Sequence, residues 1–261
     1  MGTVSKALTL LDYFSRTLPE IGLSELSRLA GMNKATVFRM LSELRARGIV
    51  EQTKSGRSYR LGPAVLRLAA IREATVPTRD VTQSVLQSLS DVTGETAHIS
   101  QVQGDRLATV AYSYASVHGT AVRMEDAEFV PFHATSTGLA ILAFGTPALR
   151  HQILSGKLTA FTPKTVVDPS QILAFLDGIR ATGFAETIGE FEQDVHSLAV
   201  PVFDADGLCS GAVAVAAPVA RMTPELRVRI LSALRDGADQ IATLWGGAVP
   251  DGLRQVWANA T

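Results

Sequence analysis

Residues 24–60 constrain the fold more than any other part of this sequence. A helical apolar pattern from Ser24 to Ala30 is interrupted by Gly31-Met32-Asn33, and a second helical pattern runs from Lys34 to Arg47. The interruption is too short for a separate element, and glycine can take the positive φ that a sharp turn needs. A hairpin pattern follows directly. Two helices, a short turn and a hairpin in this order predict a winged helix-turn-helix.

Local signals define the elements of this module. Ser24 is predicted to be the N-cap of the first helix, because its hydroxyl can accept a hydrogen bond from a first-turn amide. The segments 49–53 and 58–61 read as strands on either side of the basic tip Lys54-Ser55-Gly56-Arg57. We expect this hairpin to be the wing. The predicted buried stripe of the second helix consists of Val37, Phe38, Leu41 and Leu44.

A winged helix-turn-helix places its second helix in the DNA major groove, where the first two turns enter most deeply. Thr36 and Arg39 are therefore expected to contact base edges, and Lys34 and the wing tip to contact phosphates. A small helical domain that binds protein is the alternative. The complete predicted DNA-contacting set is Ser24, Asn33, Lys34, Ala35, Thr36, Arg39, Lys54 and Arg57.

The charge distribution supports DNA as the partner. Residues 1–73 hold 12 basic and 6 acidic side chains, a net charge of +6, whereas the remaining 12 basic and 19 acidic side chains give −7. The overall charge of −1 conceals this asymmetry. It indicates a nucleic-acid-binding module joined to an acidic domain, with DNA binding that weakens as salt rises.

Length and composition set further limits. A chain of 261 residues with 46% apolar content is large enough for two domains with separate cores. The sequence has neither a run of about 20 apolar residues nor an apolar signal-peptide core, so a cytoplasmic protein without a membrane partner is expected. One cysteine and five scattered histidines give no ligand spacing for a metal. No metal and no cofactor are predicted.

Residues 63–73 are expected to form a linker helix, because a helix-compatible proline precedes a strongly apolar pattern that ends near Pro77. Packing against a second subunit would explain this apolar surface, and burial within its own domain is the alternative. A helix over Val4 to Leu18 is expected to join the same contact. The predicted divisions are a DNA-binding domain at 1–62, a linker at 63–76, a second domain at 77–250 and a tail at 251–261.

The second domain has a mixed pattern of helices and strands. Strands grouped near both ends around a helical middle predict an antiparallel sheet with helices on its faces, an α+β fold. The predicted helices are 80–93, 137–144, 147–154, 169–182 and 224–244. The predicted strands are 96–103, 107–113, 198–203 and 209–216.

Both halves of the sequence resemble the isocitrate-lyase-regulator (IclR) family. The segments that carry the resemblance are 2–11, 23–36, 59–62, 133–138, 183–185 and 199–204, followed by Pro218 and Arg221. The resemblance implies a transcriptional regulator with an N-terminal winged helix and a C-terminal GAF-like effector domain. It also implies homodimers or paired dimers on operator DNA. Repression of a catabolic operon is the family default, and activation is the alternative.

The resemblance also implies effector-contacting positions. These are Ala134, Ser136, Thr137, Leu139, Leu142, Thr187, Ser197, Ala214 and Ala216. Ser136 and Thr137 open a helix, where hydroxyls and free amides could hold a carboxylate or carbonyl oxygen; a simple capping cluster is the alternative. Leu139 stands where the family usually has lysine.

Family members that sense small keto acids carry polar groups at the last four of these positions, and most of that polarity is absent here. Ala214 and Ala216 therefore predict an apolar floor that cannot orient a second polar group. The expected effector is a small organic metabolite with one polar end, such as a semialdehyde, a lactone or an aromatic acid. Ala214→Phe is expected to fill the pocket.

Catalysis is the competing functional class, and its candidate residues are His133, His196, Cys209 and the nearby acids Glu190, Glu192 and Asp194. Cys209 begins an apolar strand, which favours a structural role over a reactive thiol. His196 adjoins an acidic loop and reads equally well as a solvated neighbour of those acids. The segment 134–138 lacks the first glycine of a hydrolase nucleophile elbow. No catalytic residue is predicted.

Overall fold

The computed structural model describes residues 2–14, 18–54, 56–75, 78–124 and 129–259. The chain forms two compact units, Met1–Pro77 and Thr78–Thr261. The boundary follows the linker helix, which clusters with the first unit.

The first unit contains the expected helix-turn-helix and hairpin. Its helices are α1 (Thr3–Thr9), α2 (Leu23–Leu29), α3 (Lys34–Ala46) and α4 (Pro63–Thr75). Its strands β1 (Ile21–Gly22), β2 (Val50–Gln52) and β3 (Ser58–Leu61) form an antiparallel sheet in the order β1-β3-β2. The α-helical core is closed by this small sheet, as in a winged helix.

Two details of this unit differ from expectation. Gly22, not Ser24, is the N-cap of α2, and Ser24 is an exposed residue of its first turn. Phe38 is 51% exposed, and Met40 is buried instead. The spacing of Val37, Met40 and Leu41 fits one face of a 3.6-residue repeat, whereas Phe38 is turned away by about 100°.

The N-terminal helix is shorter than the expected span Val4 to Leu18. Helix α1 ends at Thr9 and a 3₁₀ turn covers Leu11–Tyr13, while residues 15–17 lie outside the described residues. Helix α4 matches the predicted linker helix and leaves large apolar side chains at its surface. Leu66 is 75% exposed, and Leu68 and Ile71 are about half exposed.

The second unit is an α+β domain, as predicted. Its helices are α5 (Thr78–Thr93), α6 (Ser136–Phe144), α7 (Pro147–Leu154), α8 (Pro169–Thr182), α9 (Pro224–Leu244) and α10 (Asp251–Asn259). Its strands are β4 (Thr96–Gln103), β5 (Arg106–Ser113), β6 (Phe129–Val130), β7 (Ala185–Ile188), β8 (Val195–Phe203) and β9 (Cys209–Pro218). They form one antiparallel sheet in the order β6-β5-β4-β9-β8-β7.

Strands β8 and β9 are neighbouring interior strands of this sheet. Both are buried along nearly their whole length, so both faces of the sheet are covered. Helices α5 and α9 pack against each other and against the sheet, and α6 packs on β8 and β9. The start of α6 meets the face of β8 that carries Ser197, because Ser136 Oγ and Ser197 Oγ are 2.7 Å apart.

The segment expected to be a tail is largely a docked helix. Trp257 of α10 donates a hydrogen bond from Nε1 to the carbonyl oxygen of Gly183 at 2.9 Å. Gly183 ends α8 with φ +78°, and a Cβ there would lie 2.4 Å from Trp257 Nε1. The indole therefore occupies space that only glycine leaves open. The strands β1, β6 and β7 were not predicted from the sequence.

Candidate functional site

The start of α3 presents most of the predicted DNA-contacting residues to solvent. Lys34, Ala35 and Arg39 are exposed, and Thr36 is half-buried. Asn33 has a structural role in this arrangement, because its Oδ1 accepts a hydrogen bond from Thr36 N at 2.8 Å and caps the helix. The cap fixes the first turn of α3, from which the polar side chains project.

Phe38 was missed as a surface residue by the sequence analysis. Ala35, Phe38, Arg39 and Ser42 follow an i, i+3, i+4, i+7 spacing and therefore share one face of α3. An exposed aromatic ring next to an exposed guanidinium is a combination that can contact both apolar and polar atoms of base edges. The same helical spacing, applied to the exposed face, could have identified it.

Hydrogen bonds tie the wing to α3. Arg45 Nη1 donates to Gln52 Oε1 at 2.8 Å, and Gln52 Nε2 donates to the Gly56 carbonyl at 2.6 Å. Arg45 therefore supports the wing from the polar face of α3. Lys54 and Arg57 are exposed beside the hairpin tip, and Ser55 lies outside the described residues.

A cavity of about 60 Å³ lies where the start of α6 meets the sheet of the second unit. This is several times the roughly 10 to 15 Å³ that one water molecule requires. Side chains from all six strands, β4 to β9, complete its wall, together with the segments 122–124 and 190–192. Six of the predicted effector positions line it: Ala134, Ser136, Thr137, Thr187, Ser197 and Ala216.

Three predicted effector positions do not line this cavity. Leu139 borders a separate cleft beside α8, and Leu142 is fully buried, with its carbonyl accepting a hydrogen bond from Arg150 Nε at 2.8 Å. Ala214 is fully buried opposite His98 in the β4-β9 register. A phenylalanine at 214 would therefore disturb the sheet packing, which makes Ala214→Phe a poor test of the cavity.

The start of α6 is built around a tight approach to the preceding turn. A Cβ at Gly138 would lie 2.3 Å from the carbonyl oxygen of Phe132, so glycine is required there. Thr135 Oγ1 caps the helix by accepting from Gly138 N at 3.2 Å. The amides of Ser136 and Thr137 belong to the first turn and have no intrahelical acceptor. Thr137 is 1% exposed, and its Oγ1 has no hydrogen-bond partner among the described residues.

His98 is a cavity residue that the sequence analysis missed. It projects from β4, is 7% exposed, and its Nδ1 has no hydrogen-bond partner among the described residues. Burial lowers the pKa of His98 to about 4, so the imidazole is uncharged at neutral pH. The expectation of a floor that cannot orient a second polar group is therefore wrong. The pairing of β4 with β9 brings this histidine beside Ala214, and no pattern of neighbouring residues in the sequence indicates that pairing.

Three charged residues, Arg123, Glu190 and Glu192, also line the cavity. Arg123 stacks over the Tyr114 ring at 5.2 Å, and the Glu190 carboxylate accepts a hydrogen bond from Ile188 N within its own loop. Partial burial of the Glu192 carboxyl raises its pKa. The other lining residues contribute apolar side chains, hydroxyls and one neutral imidazole.

The catalytic candidates are engaged in structural contacts. Burial raises the pKa of the Cys209 thiol to about 12, which suppresses the nucleophilic thiolate. His196 is buried and meets Glu186 at 2.7 Å, so it is not a solvated neighbour of the acidic loop. Burial alone would raise the pKa of Glu186, but hydrogen bonds from His196 and Arg227 hold it at about 2. His133 Nε2 lies 2.9 Å from the Thr159 carbonyl.

Neither a metal-binding cluster nor a long apolar helix is found in the described parts of the chain. Among those residues, no group of histidine, cysteine and acidic side chains is arranged to hold a metal ion. No helix among them has the length and apolarity to cross a membrane.

Comparison with known proteins identifies the family. The family model for the bacterial transcriptional regulator IclR C-terminal domain matches residues 73–243, and that for the IclR helix-turn-helix domain matches residues 3–54. The HTH-type transcriptional regulator BhcR of Paracoccus denitrificans is 31% identical over 247 residues, which cover 92% of this chain and 84% of BhcR.

Solved structures agree with this assignment. A crystal structure described as an IclR transcriptional regulator, from Silicibacter sp. TM1040, is 52% identical with a TM-score of 0.91, covering 96% of this chain and 99% of that one. The fold is also shared with an IclR homolog from Microbacterium hydrocarbonoxydans complexed with 4-hydroxybenzoate, at 22% identity and a TM-score of 0.75, covering 94% of this chain and 98% of that one. The chain belongs to the IclR family of DNA-binding transcriptional regulators.

Proposed function

We propose that this regulator represses a catabolic operon and releases its operator when a small organic acid fills the cavity of the second unit. The observation that carries the proposal is the helix start at this cavity, where the first-turn amides and the unpartnered, buried Thr137 hydroxyl come together. Such a set of donors suits a carboxylate oxygen. The 4-hydroxybenzoate bound by the Microbacterium homolog is an acid of this kind.

On DNA, the exposed face of α3 would read the operator. Arg39 would donate to a guanine edge, Thr36 would contact a neighbouring base, and Ala35 and Phe38 would contact thymine methyl groups. Lys34, Lys54 and Arg57 would hold phosphates and set the position of the helix. Ser24 and Asn33 are both exposed, and they would lie next to the sugar-phosphate backbone of the DNA.

Operator binding would require a homodimer formed through α4, with dimers pairing further on DNA. Leu66, Leu68 and Ile71 give this helix an exposed apolar surface. A symmetric dimer would place two α3 helices on half-sites about one helical turn apart. Leu66→Asp should yield monomers with weak operator binding, because the charge would be uncompensated at an apolar contact. An unchanged mass by light scattering would rule out this surface.

The site of action would be the cytoplasm, where the operator DNA is, and no catalytic step is part of the proposal. The high pKa of the buried Cys209 thiol argues against thiol chemistry. Activation by the same protein is the alternative mode. A reporter fused to the regulated promoter separates the modes, since deletion of the regulator gene raises expression if it represses and lowers expression if it activates.

The proposal is tested by fluorescence anisotropy on DNA from upstream of the regulator's own gene, with 4-hydroxybenzoate as the probe. The acid should weaken operator binding, and operator DNA should weaken acid binding by the same factor, because the coupling free energy is reciprocal. Ala216→Leu should fill the cavity and abolish the response while keeping operator affinity and the circular dichroism spectrum. A normal response from that variant would place the effector elsewhere.

A further inference from the structure

His98 is a buried polar group whose bonding capacity the described protein residues do not satisfy. A neutral imidazole offers one N-H donor and one lone-pair acceptor, and buried polar groups in folded proteins are nearly always paired. The Nδ1 atom of His98 has no partner among the described residues, although the ring lies on the cavity wall. A molecule that occupies the cavity can supply that partner.

Thr137 Oγ1 is a second unsatisfied buried atom on the wall of the same cavity. The two groups come from different sides of it. Thr137 belongs to the first turn of α6, close to the contact between Ser136 and Ser197 on β8. His98 belongs to β4, which is separated from β8 by β9.

The sheet register sets the distance between the backbones of the strands that lie beside these two groups. Ser197 pairs with Ala216 of β9, whereas His98 pairs with Ala214, which lies two residues before Ala216 on the same strand. Two strand spacings amount to about 10 Å between backbones, before the offset along the strand is included. A two- or three-carbon keto acid is much shorter than this backbone separation. An acid with a second oxygen across the width of a benzene ring is long enough.

We infer that the effector of this regulator carries a hydroxyl or carbonyl group at the end remote from its carboxylate, and that His98 is the specificity-determining residue that hydrogen-bonds it. The inference rests on the proposed function and names the chemistry of the ligand at that site. Ala214, opposite His98 on β9, contributes only a methyl group on that side of the ring.

The neutral state of the imidazole adds a restriction. Because burial keeps His98 uncharged at neutral pH, the ring can satisfy an uncharged oxygen but cannot compensate a second carboxylate. Diacids of the same length should therefore be rejected.

Isothermal titration calorimetry with benzoate, 4-hydroxybenzoate and terephthalate tests the inference on the full-length protein. The wild type should bind 4-hydroxybenzoate at least about tenfold more tightly than benzoate, and should bind terephthalate most weakly, because a site with an unpaired polar group disfavours the analogue that leaves it unpaired. In His98→Leu the ratio between 4-hydroxybenzoate and benzoate should fall to about one.

Two other variants serve as controls. Thr137→Val should weaken both monoacids by a similar factor and keep their ratio, since its hydroxyl serves the shared carboxylate. Ser100→Ala removes another buried, unpartnered hydroxyl of β4 that does not line the cavity, so it should behave as the wild type. His98→Gln, which retains a hydrogen-bonding end, should keep part of the preference and provides the test if His98→Leu does not fold.

The outcomes separate this inference from the proposed function. Equal binding of benzoate and 4-hydroxybenzoate by the wild type, or an unchanged ratio in both His98 variants, would overturn the role of His98. Acid-induced operator release would in that case still support the proposed function. Failure of all three acids to bind would overturn the inference, and failure to affect operator binding as well would contradict the proposed function.

Discussion

The two units of this regulator use polar groups in opposite ways. On α3 and the wing, the basic side chains of Lys34, Arg39 and Lys54 are exposed to solvent. In the cavity of the second unit, Thr137 and His98 are buried and uncharged, and Thr137 Oγ1 and His98 Nδ1 have no protein partner among the described residues. The first arrangement suits a large polyanion, and the second suits one small molecule that replaces water.

The contrast follows from the physics of each partner. Exposed cations act over about 10 Å at moderate salt and gain free energy by releasing the counterions of DNA. Buried hydrogen-bonding groups act only on contact, but leaving one unpaired is costly, so they discriminate strongly between similar ligands. Separate units allow each kind of recognition to have its own environment.

The largest expected difference between the two units is in how salt affects their binding. Two copies of Lys34, Lys54 and Arg57 would give about six phosphate contacts, so operator affinity should fall about 10³-fold between about 50 and 200 mM salt. Binding of 4-hydroxybenzoate to the cavity should change little over that range. Anisotropy titrations and calorimetry at matched salt measure both, and a parallel decline would contradict the contrast.

The pH dependence of stability should reveal the buried imidazole. Because the folded pKa of His98, about 4, lies below its unfolded value of 6.5, the unfolded state binds the proton first and stability is lost as pH falls through this window. The loss should approach about 3 kcal/mol by pH 4.

Urea unfolding of the wild type and His98→Leu at pH 7 and pH 4 isolates this contribution. Arg123, Glu190 and Glu192 border the same cavity and are present in both proteins, so their titration cancels in the comparison. An equal pH dependence in the two proteins would show that His98 is accessible to protons when folded.

Arg39 and Lys54 should fail differently when replaced. Arg39→Ala should cost about 1 to 3 kcal/mol on the operator and relax the preference at one base pair, whereas Lys54→Ala should weaken all sequences alike and lower the salt slope by about one. Competition titrations with operator and random DNA distinguish these patterns. Equal losses on both DNAs in Arg39→Ala would argue against base reading.

Phe38 offers the smallest and most specific test of the α3 face. Phe38→Ala should cost about 1 kcal/mol on the operator, roughly the value of one buried methyl contact, with little effect on folding because the ring is 51% exposed. Substituting deoxyuridine for thymidine at the contacted position should weaken the wild type but not the variant. If the losses from Phe38→Ala and from deoxyuridine add up, the ring does not contact that thymine methyl group.

Signals confined to a few neighbouring residues made much of the fold predictable from sequence. Helices α7, α8 and α9 begin at prolines that follow capping side chains, and their predicted bounds agree with the structure. The basic N-terminal module was equally clear, because its helix spacing, turn glycine and hairpin tip are all local. Phe38 was misplaced because apolar character alone does not identify the buried face.

Contacts between distant segments were decided only by the tertiary structure. No local pattern pairs β4 with β9 or docks Trp257 on Gly183, so neither His98 as a cavity residue nor α10 as part of the second unit was predicted. The sequence by itself determined the helix-turn-helix, the wing, helices α7, α8 and α9 and the chemical character of the DNA-binding face. The cavity exists only when six strands and the start of α6 are brought together, because its polar groups are buried by segments that lie far away in the chain.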